Sequence, residues 1–270
     1  MTVFIDGWTL THRNLLRLRH EPGTLLTIML MPTVFVVLFG YVFGSSIGIA
    51  GSSNYREYMM PGMFVLGTGT ALSSAMVDVA MDQARGAMDR LRSLPTHRVA
   101  MPLGQAGAEG FIGLYGLVVM MLTGLVVGWR IHDGVGKAVA ACALLLLLRY
   151  TLAWVGTYLG LVIRSASTAA NLAPLTLPLT MVSNAFVPTD RMPTWLRTIC
   201  EWNPLSALAT AARSLFGNPG VPGVPGVSGV PGHGAAWPLT HSVTASLLWA
   251  GVLLVVFVPL SARRFARAGL

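Results

Sequence analysis

The stretch Ala80–Pro102, AMDQARGAMDRLRSLPTHRVAMP, is a polar, arginine-bearing island between two long apolar runs. Asp82, Arg85, Asp89, Arg90, Arg92 and Arg98 fall within it. A charge at the centre of a bilayer costs roughly 3 kcal/mol or more, so this stretch belongs outside the hydrocarbon. At helical spacing Met81, Ala84, Met88 and Leu91 take one side, and Asp82, Arg85, Asp89 and Arg92 the other. That pattern predicts a short amphipathic helix over Met81–Leu94, ended by Pro95, which cannot continue one. The Arg85–Asp89 and Asp89–Arg92 pairs each add only a few tenths of a kcal/mol. Two readings stand side by side. The island is a handle by which something outside the membrane moves what lies inside it, or a charged loop that only fixes topology.

Six apolar runs lie around the island, each near the roughly 20 residues that cross a hydrocarbon core. The adjoining ones are 59–79 and 103–127; the others are 24–43, 138–161, 169–186 and 243–259. The run 59–79 carries Gly62, Gly67, Gly69, Ala71, Ser73, Ser74 and Ala75, small residues that let helices approach closely. Pro32 lies in the first run, and Pro174 and Pro178 in the fifth. The chain is 54% apolar and 10% charged, against roughly 25% charged in a soluble domain. The expected fold is therefore an all-α integral membrane protein of six transmembrane helices. The net charge of +8 comes from scattered arginines with a single lysine, Lys137. Such charge sets orientation and does not point to nucleic acid.

Residues 1–23 hold Arg13, Arg17 and Arg19 among Trp8, Leu10, Leu15, Leu16 and Leu18, which predicts an amphipathic helix lying at the interface. Six crossings put both termini on one side. With that side inside, the inner segments carry eleven arginines and the outer segments six basic residues, so both termini and the island are expected in the cytoplasm. Between the fifth and sixth runs, VPTDRMPTWLRTICEWNPLSALATAARSLFG departs from a simple span. Pro193 suits the first turn of a helix whose apolar side is Trp195, Leu196, Ile199 and Trp202. Pro204 ends it and opens a second helix to Phe216. Both are too short to cross, and are read as re-entrant or surface helices at the outer leaflet. Residues 218–232, NPGVPGVPGVSGVPG, form a Pro/Gly-rich outer linker.

No catalytic chemistry is legible. Gly136-Lys137 lacks the rest of a nucleotide-binding loop, and there is no HExxH, CxxC or GxSxG; the six histidines are scattered. Cys142 and Cys200 give no metal spacing or disulfide framework. The one deeply placed charge is Arg149, in CALLLLLRYTLAW. An intramembrane arginine is a candidate functional residue, with Glu109 and Asp78 as available carboxylates. The alternative is a shifted helix whose Arg149 snorkels to an interface.

In order along nearly the whole chain, these features resemble the permease subunits of the ABC-2 exporter family, of the daunorubicin-resistance type. The resemblance rests on the basic amino-terminal helix and on RGAMDRLRSLPTHR after the second span. Its more specific part is the set Pro188, Pro193, Trp195, Leu196, Asn203, Pro204 and Arg213. It implies a half-transporter in the bacterial cytoplasmic membrane. A second permease subunit, the same or a paralogous chain, would pair with it, and a separate ABC ATPase dimer would bind ATP and Mg; this chain would hold no cofactor or metal. Met81, Arg85, Met88, Asp89, Arg90, Leu91 and Arg92 would form the coupling helix that docks on the ATPase. Pro193, Trp195, Leu196, Asn203, Pro204 and Arg213 would shape an outer re-entrant gate. The expected cargo is a hydrophobic or amphipathic drug or lipid, with a polysaccharide or lipid-linked glycan as the alternative. A membrane protein without ATP coupling remains a further reading.

Overall fold

The computed structural model describes residues 3–20, 22–38, 41, 55–88, 99–163, 165–185, 192–218 and 236–267. No strand occurs among the described residues. The helices are α1 (Val3–His20), α2 (Pro22–Leu38), α3 (Tyr55–Ala84), α4 (Ala100–Val127), α5 (Val135–Ile163), α6 (Ala166–Leu172), α7 (Thr176–Met181), α8 (Thr194–Trp202), α9 (Pro204–Phe216), α10 (Trp237–Thr240) and α11 (Ser242–Arg267).

Four of these, within α3, α4, α5 and α11, are long and apolar enough to cross a membrane. The other two expected spans are shorter. The described part of the first, α2, has 17 residues and keeps Pro32 inside it. The fifth, 169–186, is not one helix: α6 gives way to a 3₁₀ turn at Ala173–Leu175, then α7 ends at Met181. Pro174 is the middle residue of the 3₁₀ turn and Pro178 lies in α7, and each removes a main-chain donor that a continuous helix needs.

The bundle is organised on α3 and α5, which run parallel: Gly67 meets Arg149, Leu72 meets Gly156 and Met76 meets Gly160. Their crossing is close because α5 carries Gly156 and Gly160, four apart on one face. A Cβ on Gly156 would run into the Leu72 carbonyl, and one on Gly160 would lie 2.6 Å from the Met76 carbonyl oxygen. The core above the crossing holds Met60, Met63, Phe64, Leu145 and Leu148, closed by Trp129 and Phe216. Trp129 and Trp154 are fully buried. They are core residues and not members of an interfacial aromatic belt. The outer sides of α2 and α11 expose Leu26, Leu30, Val34, Leu247, Val252 and Val255, surfaces suited to lipid.

α1 is helical as expected, but it is held by protein as well as by any interface. Gly104 and Gly107 of α4 open a shallow seat in which Leu10 and Thr11 rest. The Thr11 hydroxyl lies 3.3 Å from the Gly104 carbonyl. Trp8 packs edge-on against Phe111. At the same end of the bundle Val79, Met88, Met101, Leu161 and Phe265 form a small core with Leu10 against it. The amino-terminal helix, the stretch after α3 and the last turns of α11 thus share one end. The α4–α5 loop and the end of α9 share the other, where the His132 N–H donates to the Phe216 carbonyl.

Candidate functional site

Three polar assemblies occupy the inside of this apolar chain, one at each end and one at mid-depth. The middle one is built on Arg149. Its Nη2 bonds the Glu109 carboxylate at 2.7 Å and its Nε the Glu109 carbonyl at 2.9 Å. Nη1 reaches the Gly67 carbonyl at 2.6 Å and the Thr70 hydroxyl at 3.3 Å. Both side chains are at least nine-tenths buried. Arg149 therefore does not snorkel, and Glu109 rather than Asp78 is its partner. Gly113 makes this possible, because a Cβ there would occupy the place of the Arg149 side chain. Beside the pair lies a cavity of about 280 Å3 walled by α2, α3, α4 and α5, mostly apolar, with Arg149, Thr68 and Thr70 among its polar groups.

The end holding the polar island is a bracket. Arg13 of α1 pairs with Asp82 at 3.3 Å, Asn14 donates to Gln105 at 3.0 Å, and Gln105 donates to Asp78 at 3.3 Å. Gln83 donates to the Gly160 carbonyl at 2.6 Å, tying α3 to α5. The expected continuous helix over Met81–Leu94 does not form. α3 runs through Met81 to Ala84, and a turn at Arg85–Gly86 follows, with Gly86 at φ 70°, a conformation glycine adopts without the Cβ clash. Met81 thus belongs to the membrane helix, Arg85 is exposed on the turn, and Met88 is buried in the core of this end. Asp89, Arg90, Leu91 and Arg92 lie outside the described residues.

At the opposite end α8 and α9 form a helical hairpin that dips inward. The C-terminus of α9 meets the α4–α5 loop, yet its first residues border Gly69 and Leu152, well inside α3 and α5. Thirteen residues of helix cover about 20 Å, which fits a half-crossing. Asn203 and Pro204 make the deep turn. The Asn203 side chain caps α9 by accepting from the Leu205 N–H at 2.9 Å, and its amide donates to the Val182 carbonyl at 2.6 Å. Pro204 takes the first helical position, where no N–H is needed. Pro193 sits one place earlier than expected, at the cap of α8, with Thr194 the first helical residue. Trp195, Ile199 and Trp202 are exposed and Leu196 is half-buried, so the apolar side of α8 faces away from the chain.

Arg213 latches the top of this hairpin. It is buried, its Nε donates to the Tyr58 carbonyl at 3.1 Å, and Nη2 donates to the carbonyls of Asn184 and Ala185 at 3.0 and 2.6 Å. The guanidinium also lies 3.9 Å from the centre of the Tyr58 ring. Gly62 leaves room for the Ala185 carbonyl at the same point. Asn218 completes the seat by accepting from the Trp129 indole at 2.9 Å and donating to the Arg130 carbonyl at 3.0 Å. Asn218 thus belongs to the hairpin anchor, not to the linker; residues 219–235 lie outside the described residues.

The family model of the ABC-2 type transporter matches residues 6–216, from α1 to the end of α9. The chain belongs to the ABC-2 type transporter family. A daunorubicin resistance ABC transporter permease of Streptomyces coeruleorubidus is 30% identical over 217 residues, covering 77% of this chain and 74% of that protein. A probable doxorubicin resistance ABC transporter permease of Mycobacterium tuberculosis is 22% identical over 253 residues, 93% of this chain and 85% of its own length. A putative transport permease, ycf38, of Cyanophora paradoxa is 25% identical over 213 residues, covering 77% and 73%.

Within this ABC-2 permease the structure unites Arg149 with Glu109, and Asn203 with Pro204 and, through the hairpin, Arg213. Of the island residues that are described, Met81 lies in α3, Arg85 on the turn that follows and Met88 just beyond that turn. Several participants carry weaker sequence signals. Gly113 follows Glu109 by four residues, so both face the same neighbour, but a glycine in a membrane helix has many uses. Tyr58 and Asn184 contribute main-chain carbonyls, which any residue type supplies. Among the described residues no cluster of His, Cys, Asp and Glu could hold a metal.

Proposed function

We propose that this permease is the membrane half of an ATP-driven exporter that moves a hydrophobic or amphipathic compound, a drug or a lipid, outward across the bacterial cytoplasmic membrane. A separate ABC ATPase supplies the power, and a second permease subunit completes the pathway. The observation that carries this reading is the family match through residues 6–216, which includes the polar stretch between α3 and α4. The geometry around that stretch supports it. Arg85 follows directly on α3, and α3 is tied to α1 through Asp82, to α4 through Asp78 and to α5 through Gln83. A push on residues 85–98 therefore reaches four helices at once. Two packings of similar energy and one mechanical contact suffice for such a subunit, with no catalytic group of its own.

The cargo class follows from the walls. Both the mid-depth cavity and the groove beside the α8–α9 turn are predominantly apolar. A named drug is a property of the relatives; for this chain the class is what the chemistry of the walls supports. The test is reconstitution with the cognate ATPase. The R85E/R92E double variant is expected to fold, to co-purify poorly with the ATPase and to lose ATP-driven efflux. Normal efflux and normal co-purification would overturn the coupling role.

A further inference from the structure

Glu201 stands where the local rules of a helix disfavour an acid. It is next to last in α8, where the partial negative charge of the helix end repels a carboxylate. Its partner Arg197 lies four residues before it, the weaker order for such a pair. Yet Glu201 is buried, and both carboxylate oxygens are met. Oε1 accepts from the Arg197 Nε–H at 2.6 Å, and Oε2 from the Ala236 N–H at 2.9 Å. Ala236 caps α10, and α10 leads straight into the last span. The His241 N–H donates to the Trp237 carbonyl at 3.0 Å, and the Ala245 N–H to the His241 carbonyl at 2.8 Å. The Trp237 and His241 rings stack 5.2 Å apart. Glu201 therefore joins the first helix of the hairpin to the entry of α11. On the same α8, Ile199 and Trp202 line the apolar groove with Leu179 of α7 and Leu72 of α3.

We propose that Glu201 is a catch. It holds α8 across the groove by fastening it to the entry of α11, and it lets go of Ala236 when the groove opens during the export cycle. The catch accounts for the burial of the carboxylate. A charge beneath an apolar helix is costly unless it is paired and hydrogen-bonded. An Arg–Glu pair within α8 could form as well on its exposed side, with no desolvation to offset. What the inner side adds is the Ala236 N–H, a donor from beyond the hairpin. Once that bond breaks, water replaces the N–H at small net cost to the carboxylate, so the catch has two states of similar energy. The opening step rests on the export reading above; the closed catch does not.

Cys200, next to Glu201 and buried, reports the catch. The full-length permease carrying Cys142→Ala keeps Cys200 as its single cysteine. It is placed in phospholipid nanodiscs, without ATPase, and treated with a charged maleimide. Slow labelling is expected. Glu201→Ala removes the acceptor. Ala236→Pro removes the donor alone, since Ala236 already has a φ of −63°, the value a proline ring holds. Each is expected to speed labelling about ten-fold or more, because losing a hydrogen bond to a charged group shifts a local opening by that much. The two together are expected to label no faster than either alone, which a general loosening of α8 would not give. Thr198→Ala, on the exposed side of α8, is expected to label as the parent does. Thermal unfolding identifies any variant that is misfolded, and the two single variants stand on different elements. Fast labelling of the parent, parent-like labelling in either folded single variant, or additive effects overturns the catch. With the cognate ATPase bound, Cys200 of the parent is expected to label slowly without nucleotide and fast on vanadate trapping. Slow labelling in both states makes Glu201 a fixed strut and overturns the opening step. If the nanodisc results hold but the ATPase never binds, the export reading fails and the closed catch stands.

Discussion

Replacing Arg149 with leucine removes four hydrogen bonds at once and strands the Glu109 carboxyl inside the bundle. Breaking one side of a buried pair costs about 3–5 kcal/mol, whereas replacing both sides with apolar residues is often close to neutral. Arg149→Leu is therefore expected to lower the thermal unfolding midpoint of the purified permease strongly, and Arg149→Leu with Glu109→Leu to recover most of the loss. A double variant no better than the single one would show that the pair is not the coupled unit described here. The two residues were individually legible as intramembrane charges. Their meeting was less so, because Glu109 lies nine residues from the inner end of α4, about 14 Å, and Arg149 fourteen residues from that end of α5, about 21 Å. The length of the arginine side chain and the gap at Gly113 close that difference, and neither shows in a hydropathy profile.

At the scale of the element, the α3–α5 crossing depends on two glycines whose neighbours are main-chain carbonyls. Carbonyls of a helix cannot swing aside as a side-chain tip can. Gly160→Leu is expected to destabilise the permease by about 1–3 kcal/mol or more in detergent unfolding, as over-packing does in tight cores. Gly136→Leu, near the start of α5 with nothing within 4 Å, is the control and is expected to be neutral. Equal effects would mean that the crossing is looser than its contacts imply. Small residues on α3 announced a close partner, and GTYLG on α5 is the matching half of that signal. The breaks were harder to place. Pro174 and Pro178 marked the fifth span as unusual, but whether proline kinks a helix or divides it depends on which neighbours satisfy the freed carbonyls. The amphipathic pattern of Met81–Leu94 crossed Gly86 without a warning from periodicity, since only the backbone dihedral shows that the helix stops there. Met88 kept its apolar role, buried in the small core of this end.

For the whole molecule, the two ends differ in charge and in what they hold together. One end gathers α1, the stretch after α3, and the end of α11; the other gathers the α4–α5 loop, the α9 terminus and the start of α11. Eleven basic residues fall on segments assigned to the first end and six on those of the second, so the first end is expected to face the cytoplasm. Single cysteines in a C142A/C200A background test this directly. Thr9 and Arg263 represent the first end, and Lys137 and Thr240 the second; all four are exposed. In intact cells an impermeant maleimide is expected to label positions 137 and 240, and to reach 9 and 263 only after the membrane is opened. Reversal of all four would keep the fold and invert the orientation, leaving Arg85 on the wrong side for any ATPase. A split between 9 and 263 would be graver, because α1 and the end of α11 meet in the same small core, and no orientation of this bundle can part them.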